Sequence, residues 1–308
     1  VGYRKTICKN TNYHWWKNES RESHYHRPIY FNLRGVNMEK FNFYFNNKSF
    51  ELIIDHYKLC LGDNYSLKHE FVNTIKRQFS KSSGSDFQKN MNLKHLVLFD
   101  DKRIDNKEWE FYEVNNHFDF NSDLKLSSKS LLTKYYESML KDIGFNEEII
   151  TINQLLEDIS TTILNDSIKM SYDNIELHAQ IQPLNSRTIV KLLEVELLKE
   201  FASANGFDLT YEEIIITQID LIEKMASFNP MYKVLVLVDI PLLTKRIASR
   251  INHLKHTYFI VVVNLLDENI DLSIENVCYF KSKITDFGNE DLVFNNLTME
   301  LPFHLEKE

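Results

Sequence analysis

The chain has 308 residues, 43% hydrophobic and 26% charged, which are the proportions of a globular protein with a sizeable core and exclude a disordered or fibrous one. Its 36 Lys and Arg against 44 Asp and Glu give a formal charge of −8, which weighs against a nucleic-acid partner unless basic side chains gather locally. Only 7 glycines and 5 prolines occur and no G-x-G, which excludes a Rossmann phosphate loop; Cys8, Cys60 and Cys278, with no Cys-x-x-Cys, suggest neither a disulfide framework nor a zinc site.

The first segment mixes Asn, His, Trp, Arg and Tyr without a period, so residues 1–37 are expected to be an extension, with Met38 a sensible natural start. His14, His24 and His26 lack the carboxylate or cysteine that would complete a metal set. The opening VGYRKTICKN is not a signal peptide. The longest apolar run, Tyr258 to Val263, is far short of the roughly 18 residues of a membrane helix. A cytoplasmic protein with no membrane partner is expected.

FNFYFNNKSFELII, Phe41 to Ile54, alternates apolar and polar residues around Asn-Asn and predicts a β-hairpin. YKLCL, Tyr57 to Leu61, predicts a strand; GDNYSLKH follows as a tight loop, and Phe71, Ile75 and Phe79 predict an amphipathic helix. SKSSGS at Ser80 to Ser85 reads as a loop and His95 to Phe99 as a strand. Leu131, Leu132, Tyr135, Tyr136, Met139, Leu140 and Ile143 form one helical stripe stopped by Gly144. A second helix is expected from the capping-box spacing of Thr151 and Gln154, ahead of Leu155, Ile159 and Ile163. A third would carry Ile189, Leu193, Leu197 and Phe201, and a fourth opens with Thr210 and Glu213 and ends before Pro230. VLVLVD, Val234 to Asp239, and YFIVVVN, Tyr258 to Asn264, read as parallel strands covered on both faces. A crossover helix carrying Leu243, Ile247, Ile251 and Leu254 joins them, and VCYF near Val277 adds a strand. The architecture predicted is an α/β head of residues 38–121 and 231–308, interrupted by an elongated α-helical leg of residues 122–230.

GDNYSLKH lies in register with the phosphate loop G-x-x-x-x-G-K-[ST]. Gly62 and Lys68 match; Leu67 replaces the second glycine, filling a cradle that needs bare backbone, and His69 replaces the hydroxyl that would hold magnesium. Asp239 stands where a Walker-B carboxylate would, or is simply the polar end of an apolar strand, and Asn264 stands where a polar sensor would. Asp100 and Asp101 end a strand, but nothing else in the sequence completes a nuclease site with them. The head is therefore read as P-loop-NTPase-like with a degenerate loop.

A head of this kind split by a helical leg resembles the Csn-two family of type II-A CRISPR systems. FDLTYEEI, Phe207 to Ile214, looks like the acidic turn between the family's leg helices, and MEKFNFYFNNKSFELII and VLVLVD match in kind. The resemblance implies a non-enzymatic homotetrameric ring that binds calcium and double-stranded DNA ends without reading sequence. It further implies a role in spacer acquisition beside the CRISPR adaptation integrase and effector nuclease. Asp208, Glu212 and Glu213 are the calcium ligands so implied, since clustered oxygens suit that ion; Glu213 is equally the capping partner of Thr210. Lys76, Arg77, Lys81, Lys125, Lys129, Lys134, Lys245, Arg246 and Arg250 are the cations expected to meet phosphates. A P-loop ATPase or nucleotide-binding protein, and a protein–protein scaffold, are the alternatives.

Overall fold

The computed structural model describes residues 39–45, 48–80, 96–105, 107–165, 181–252, 257–267, 270 and 273–288. Residues 1–36 form one unit and 37–308 another, and all that follows concerns the second. The expectations about His14, His24, His26, Lys81, Leu254 and residues 1–37 lie outside the described residues.

The hairpin forms as the alternation requires. β1 (Glu39–Phe45) and β2 (Lys48–Ile54) pair antiparallel with Phe41 opposite Leu52 and Phe43 opposite Phe50. β4 (Leu96–Phe99) pairs with the other edge of β1, and β5 (Lys102–Arg103) completes a small antiparallel sheet, β2-β1-β4-β5. The turn between β4 and β5 is Asp100-Asp101, both at positive φ (47° and 61°), a conformation aspartate tolerates. These two carboxylates are spent on the turn: Asp100 accepts from Lys40 N and Asp101 from Asn42 Nδ2.

The main sheet has the order β12-β11-β3-β10-β9-β6, built from β3 (Tyr57–Leu61), β6 (Trp109–Asn115), β9 (Lys233–Leu243), β10 (Thr257–Leu266), β11 (Val277–Phe280) and β12 (Ile284–Asp286). All neighbours are parallel except β11 and β12. Numbered along the chain, the five parallel strands lie in the order 5-1-4-3-2. The chain leaves β3 for the far edge at β6, then returns strand by strand until β11 lands on the other side of β3.

Both faces are covered, which is why β9 and β10 read as unbroken apolar runs. Val234, Val236 and Val238 face one core with α6 (Tyr211–Phe228) and α7 (Lys245–Asn252). Leu235 and Leu237 face the other, with α1 (Tyr65–Phe79) and the small sheet. That second core is aromatic: the Phe43 ring stacks on Phe50 at 5.1 Å and meets Phe71 edge-on at 4.9 Å, while Phe41 meets Phe99 at 4.9 Å. Such ring pairs add about 0.5–1.5 kcal/mol each beyond burial.

One charged pair is buried inside the protein. Lys58 Nζ lies 2.6 Å from Asp286 Oδ1 with both side chains essentially inaccessible, and also donates to Glu275 O at 2.7 Å. Asp286 Oδ2 accepts from Ile53 N at 2.9 Å, and its Oδ1 accepts from Gly288 N at 3.0 Å. The pair thus ties β2, β3 and β12 with its polar atoms satisfied.

Between β6 and β9 lie α2 (Phe120–Asp123), α3 (Leu131–Ile143), α4 (Asn146–Asn165), α5 (Ser186–Val190) and a hairpin of β7 (Leu197–Lys199) and β8 (Ala202–Ala204). α3 is capped by Ser130, whose Oγ accepts from Thr133 N, and from outside the helix by the buried Asp123 carboxylate, which accepts from Leu131 N and Leu132 N. Gly144 ends it at φ 75°.

Two expectations fail here. The second helix starts at Asn146, not at Thr151, whose hydroxyl donates to Glu147 O at 2.9 Å from inside the helix. The third stops at Val190; Leu192 N and Leu193 N bond Ile189 O and Val190 O in a tightened turn. Leu197 and Phe201, expected on that helix, belong to the hairpin, because apolar residues four apart also satisfy a strand and its turn.

Candidate functional site

In a parallel sheet the place for chemistry is the carboxyl edge, at the point where the strand order reverses. Here that point is β3 beside β10, followed by the turn into α1. Gly62 takes φ +110°, and a Cβ on it would sit 2.1 Å from Phe280 O, so only glycine fits. Asn64 N donates to Phe280 O at 3.2 Å and Asn64 Nδ2 to Lys281 O at 2.5 Å, while Asn64 Oδ1 caps α1 by accepting from Leu67 N. A shallow groove lined by Asp63, Asn64, Tyr65, Ser66, Lys281 and Ser282 opens above.

The sequence register with a phosphate loop therefore does not carry into a cradle. Only Gly62, Asp63 and Asn64 separate strand from helix, and Leu67, Lys68 and His69 are already helical. Leu67 packs into the aromatic core. Lys68 is 4% exposed, donates its Nζ to Val263 O at 2.6 Å, and burial pulls its pKa down. The His69 ring nitrogen lies 2.8 Å from Asn73 Nδ2.

Asp239 stands opposite Asn115 of β6 and Val262 of β10, and strand alternation turns it toward α1. Burial pushes its carboxyl pKa up; Lys76 opposes this, Glu113 reinforces it, and His69 and His117 oppose it more weakly. Lys76 itself bonds Glu113 at 2.5 Å. Asn264 is exposed at the end of β10. This edge holds a half-buried carboxyl and a withheld lysine.

The basic residues divide by partner. Lys76 is taken by Glu113; Arg246 lies 3.6 Å from Glu212; Arg250 is bound by Asp220 and Glu223; Lys134 lies 5.3 Å over the Tyr112 ring. Lys125 lies near Asp119, whose carboxyl pKa is lowered first by the Ser122 hydrogen bonds and only slightly by Lys125. Arg77, Lys129 and Lys245 are exposed and form no ion pair among the described residues.

The acidic turn is built but already occupied. Asp208 Oδ2 accepts from Asn205 N at 2.8 Å, closing a capping box over the single turn Gly206–Asp208. Glu212 accepts from Thr244 Oγ1. Glu213 accepts from Lys199 Nζ at 2.9 Å and from Thr210 N at 2.7 Å, and Lys199 first, then Thr210, hold its carboxyl down at about 2. Among the described residues no group of three His, Cys, Asp or Glu could hold a metal ion; the carboxylates of Asp208, Glu212 and Glu213 are engaged by Asn205, Thr244, Lys199 and Thr210. Lys199 and Lys58 escaped the sequence reading; a lysine inside the apolar strand YKLCL was the available signal for Lys58.

No family model matches the chain, and no curated protein does. The fold is similar to solved structures. One is the crystal structure of Stu0660 of Streptococcus thermophilus, with TM-score 0.59, 14% identity, 80% of this chain and 76% of that chain covered. At that identity the likeness concerns the fold: a mixed α/β protein with a parallel main sheet. Among the described residues no helix is long and apolar enough to cross a membrane.

Proposed function

We propose that this chain binds ends of double-stranded DNA without reading sequence, as a homotetrameric ring, in CRISPR spacer acquisition beside the adaptation integrase and effector nuclease. The fold neighbour and the strand order support a P-loop-like head of the Csn-two kind. The observation that carries the non-enzymatic side of the reading is Lys68: its side chain is buried and its ammonium is already bonded to Val263 O. DNA is then met through backbone phosphates by the exposed cations Arg77, Lys129 and Lys245, gathered by ring symmetry on a chain whose own charge is negative. No step of this reading runs through calcium.

Gel shifts comparing linear with relaxed closed duplex test it: a ring loads from an end, so linear duplex should bind better, with affinity falling as salt rises. Equal binding of closed circles removes the threading mechanism. Light scattering should give about four copies per particle, and ATP turnover should not exceed that of Lys68→Ala. A protein–protein scaffold is the second reading, favoured by α4, which exposes Ile150, Leu155 and Ile159 and carries Glu147, Glu148, Glu157 and Asp158 with no Lys or Arg.

A further inference from the structure

α4 is fastened to the fold by its polar side. Asn153 Nδ2 donates to Leu184 O at 2.8 Å and its Oδ1 accepts from Leu184 N at 2.7 Å, while the buried Ser160, seven residues on, accepts from Ile181 N at 3.3 Å. Among the described residues no other helix or strand packs extensively against α4. Its apolar residues are turned away from this anchor. At 3.6 residues per turn Phe145, Ile152 and Ile159 stand above one another, with Leu155 beside them on the flank remote from Asn153. Phe145, whose carbonyl accepts from Ile149 N, is 38% exposed, Ile152 41%, Ile159 50% and Leu155 59%; Ile149 and Leu156, between the two stripes, are half-buried. A surface helix ordinarily lays its apolar stripe on the core and its polar face in water. α4 does the reverse, so folding alone gives no reason for the stripe.

From Phe145 to Ile159 the stripe runs about 21 Å at the helical rise, the length over which a partner helix lays successive apolar anchors. The carboxylates beside it fix the sign of that partner. Around the helix Glu148 falls between Ile152 and Leu155, and Asp158 and Glu147 follow on the flank of Leu155. All three are exposed, none forms an ion pair among the described residues, and α4 carries no Lys or Arg. Cations brought across the contact are attracted to these carboxylates, whereas a polyanion, an anionic lipid surface or a second copy of the stripe would set like charge against them.

We infer that the stripe of Phe145, Ile152, Leu155 and Ile159 docks a basic amphipathic helix of another protein, whose apolar face covers the stripe and whose Lys or Arg meet Glu148, Asp158 and Glu147. This rests on the protein–protein scaffold reading, whose partner it names, and is independent of the DNA reading. The probe is an amphipathic helical peptide of leucine and lysine, with a leucine and glutamate counterpart, titrated into the full chain by fluorescence anisotropy. The lysine peptide should bind, more weakly at high salt. Ile152→Gln/Leu155→Gln/Ile159→Gln should weaken it about tenfold or more, with the helical circular dichroism unchanged. Glu148→Gln/Asp158→Asn should weaken it less and flatten the salt dependence. Met231→Gln, at an exposed apolar residue outside α4, should change nothing, and the glutamate peptide should not bind. Failure of the lysine peptide to bind overturns the inference. Equal binding by the triple variant also overturns it, while leaving a scaffold role on another surface standing. A smaller particle in light scattering of the triple variant would make the occupant a second copy. Capture of the native chain, but not of that variant, by phosphatidylcholine vesicles would make it a lipid surface, and a fall in the variant's duplex affinity would make it DNA; each of these overturns the inference.

Discussion

The sheet and the stretch that interrupts it are built on opposite terms. Residues 122–230 hold 9 Lys and Arg and 18 Asp and Glu (9 − 18 = −9), while the rest of the chain holds 27 and 26 (27 − 26 = +1). In the sheet region Phe41, Phe43, Phe71 and Phe280 are wholly buried and a charged pair is sealed inside; in the inserted stretch Ile150, Leu155, Ile159, Phe201 and Phe207 face solvent. The negative charge and the unspent apolar surface thus coincide. One region uses its hydrophobic residues to stay folded, and the other, apart from α6 with its buried Ile215, Ile219 and Ile222, holds many of them outward.

The sharpest way to break this contrast is the buried pair. Lys58→Met leaves Asp286 charged and unpaired inside, and should cost about 3–5 kcal/mol in urea unfolding, whereas Lys58→Met/Asp286→Leu should recover most of it. A single variant that costs nothing would mean that water reaches the pair. Next comes a matched pair of truncations. Phe71→Ala should cost about 3–5 kcal/mol and Ile159→Ala within about 0.5 kcal/mol; similar losses would show that the α4 stripe is covered.

Smaller effects sharpen the acidic turn. Thr210→Ala removes the cap of α6 and should cost about 1 kcal/mol. The Glu213 pKa is depressed on folding, so its contribution is present above the ordinary carboxylate range and is lost as pH falls through about 2. Glu213→Gln should therefore flatten that part of the acid unfolding profile, and an unaltered profile would detach Lys199 from Glu213. Asp239 has the opposite sign: burial raises its pKa, so ionisation on going to neutral pH opposes folding. Asp239→Asn should raise Tm slightly at pH 7 and leave it unchanged well below the carboxylate range.

Legibility in the sequence followed the physics of each element. The hairpin Phe41 to Ile54, the runs VLVLVD and YFIVVVN, and the Thr210–Glu213 box were readable because local period or spacing determines them. Leu193, Leu197 and Phe201 misled because period four cannot distinguish a helix from a turn leading into a hairpin. GDNYSLKH misled for a different reason: its spacing says nothing of Phe280, whose carbonyl closes on Gly62 from more than two hundred residues away. The partners of Lys76, Arg246 and Arg250 were hidden because ion pairs form between elements, and no local pattern reports them.

The closure of Gly62 and Asn64 onto Phe280 and Lys281 also fixes an order of events. β3 is an interior strand, yet its neighbours β10 and β11 are made late, and the Ile53–Asp286 bond spans 233 residues. As the chain leaves the ribosome, the β1–β2 hairpin, α1 and the inserted helices can form early, but β3 waits with both edges bare and Lys58 unmatched. Folding dominated by such distant partners is slow and exposes strand edges to other chains. Chains released before residue 286 should accumulate as aggregates, while the full-length chain closes its sheet in a late, concerted step.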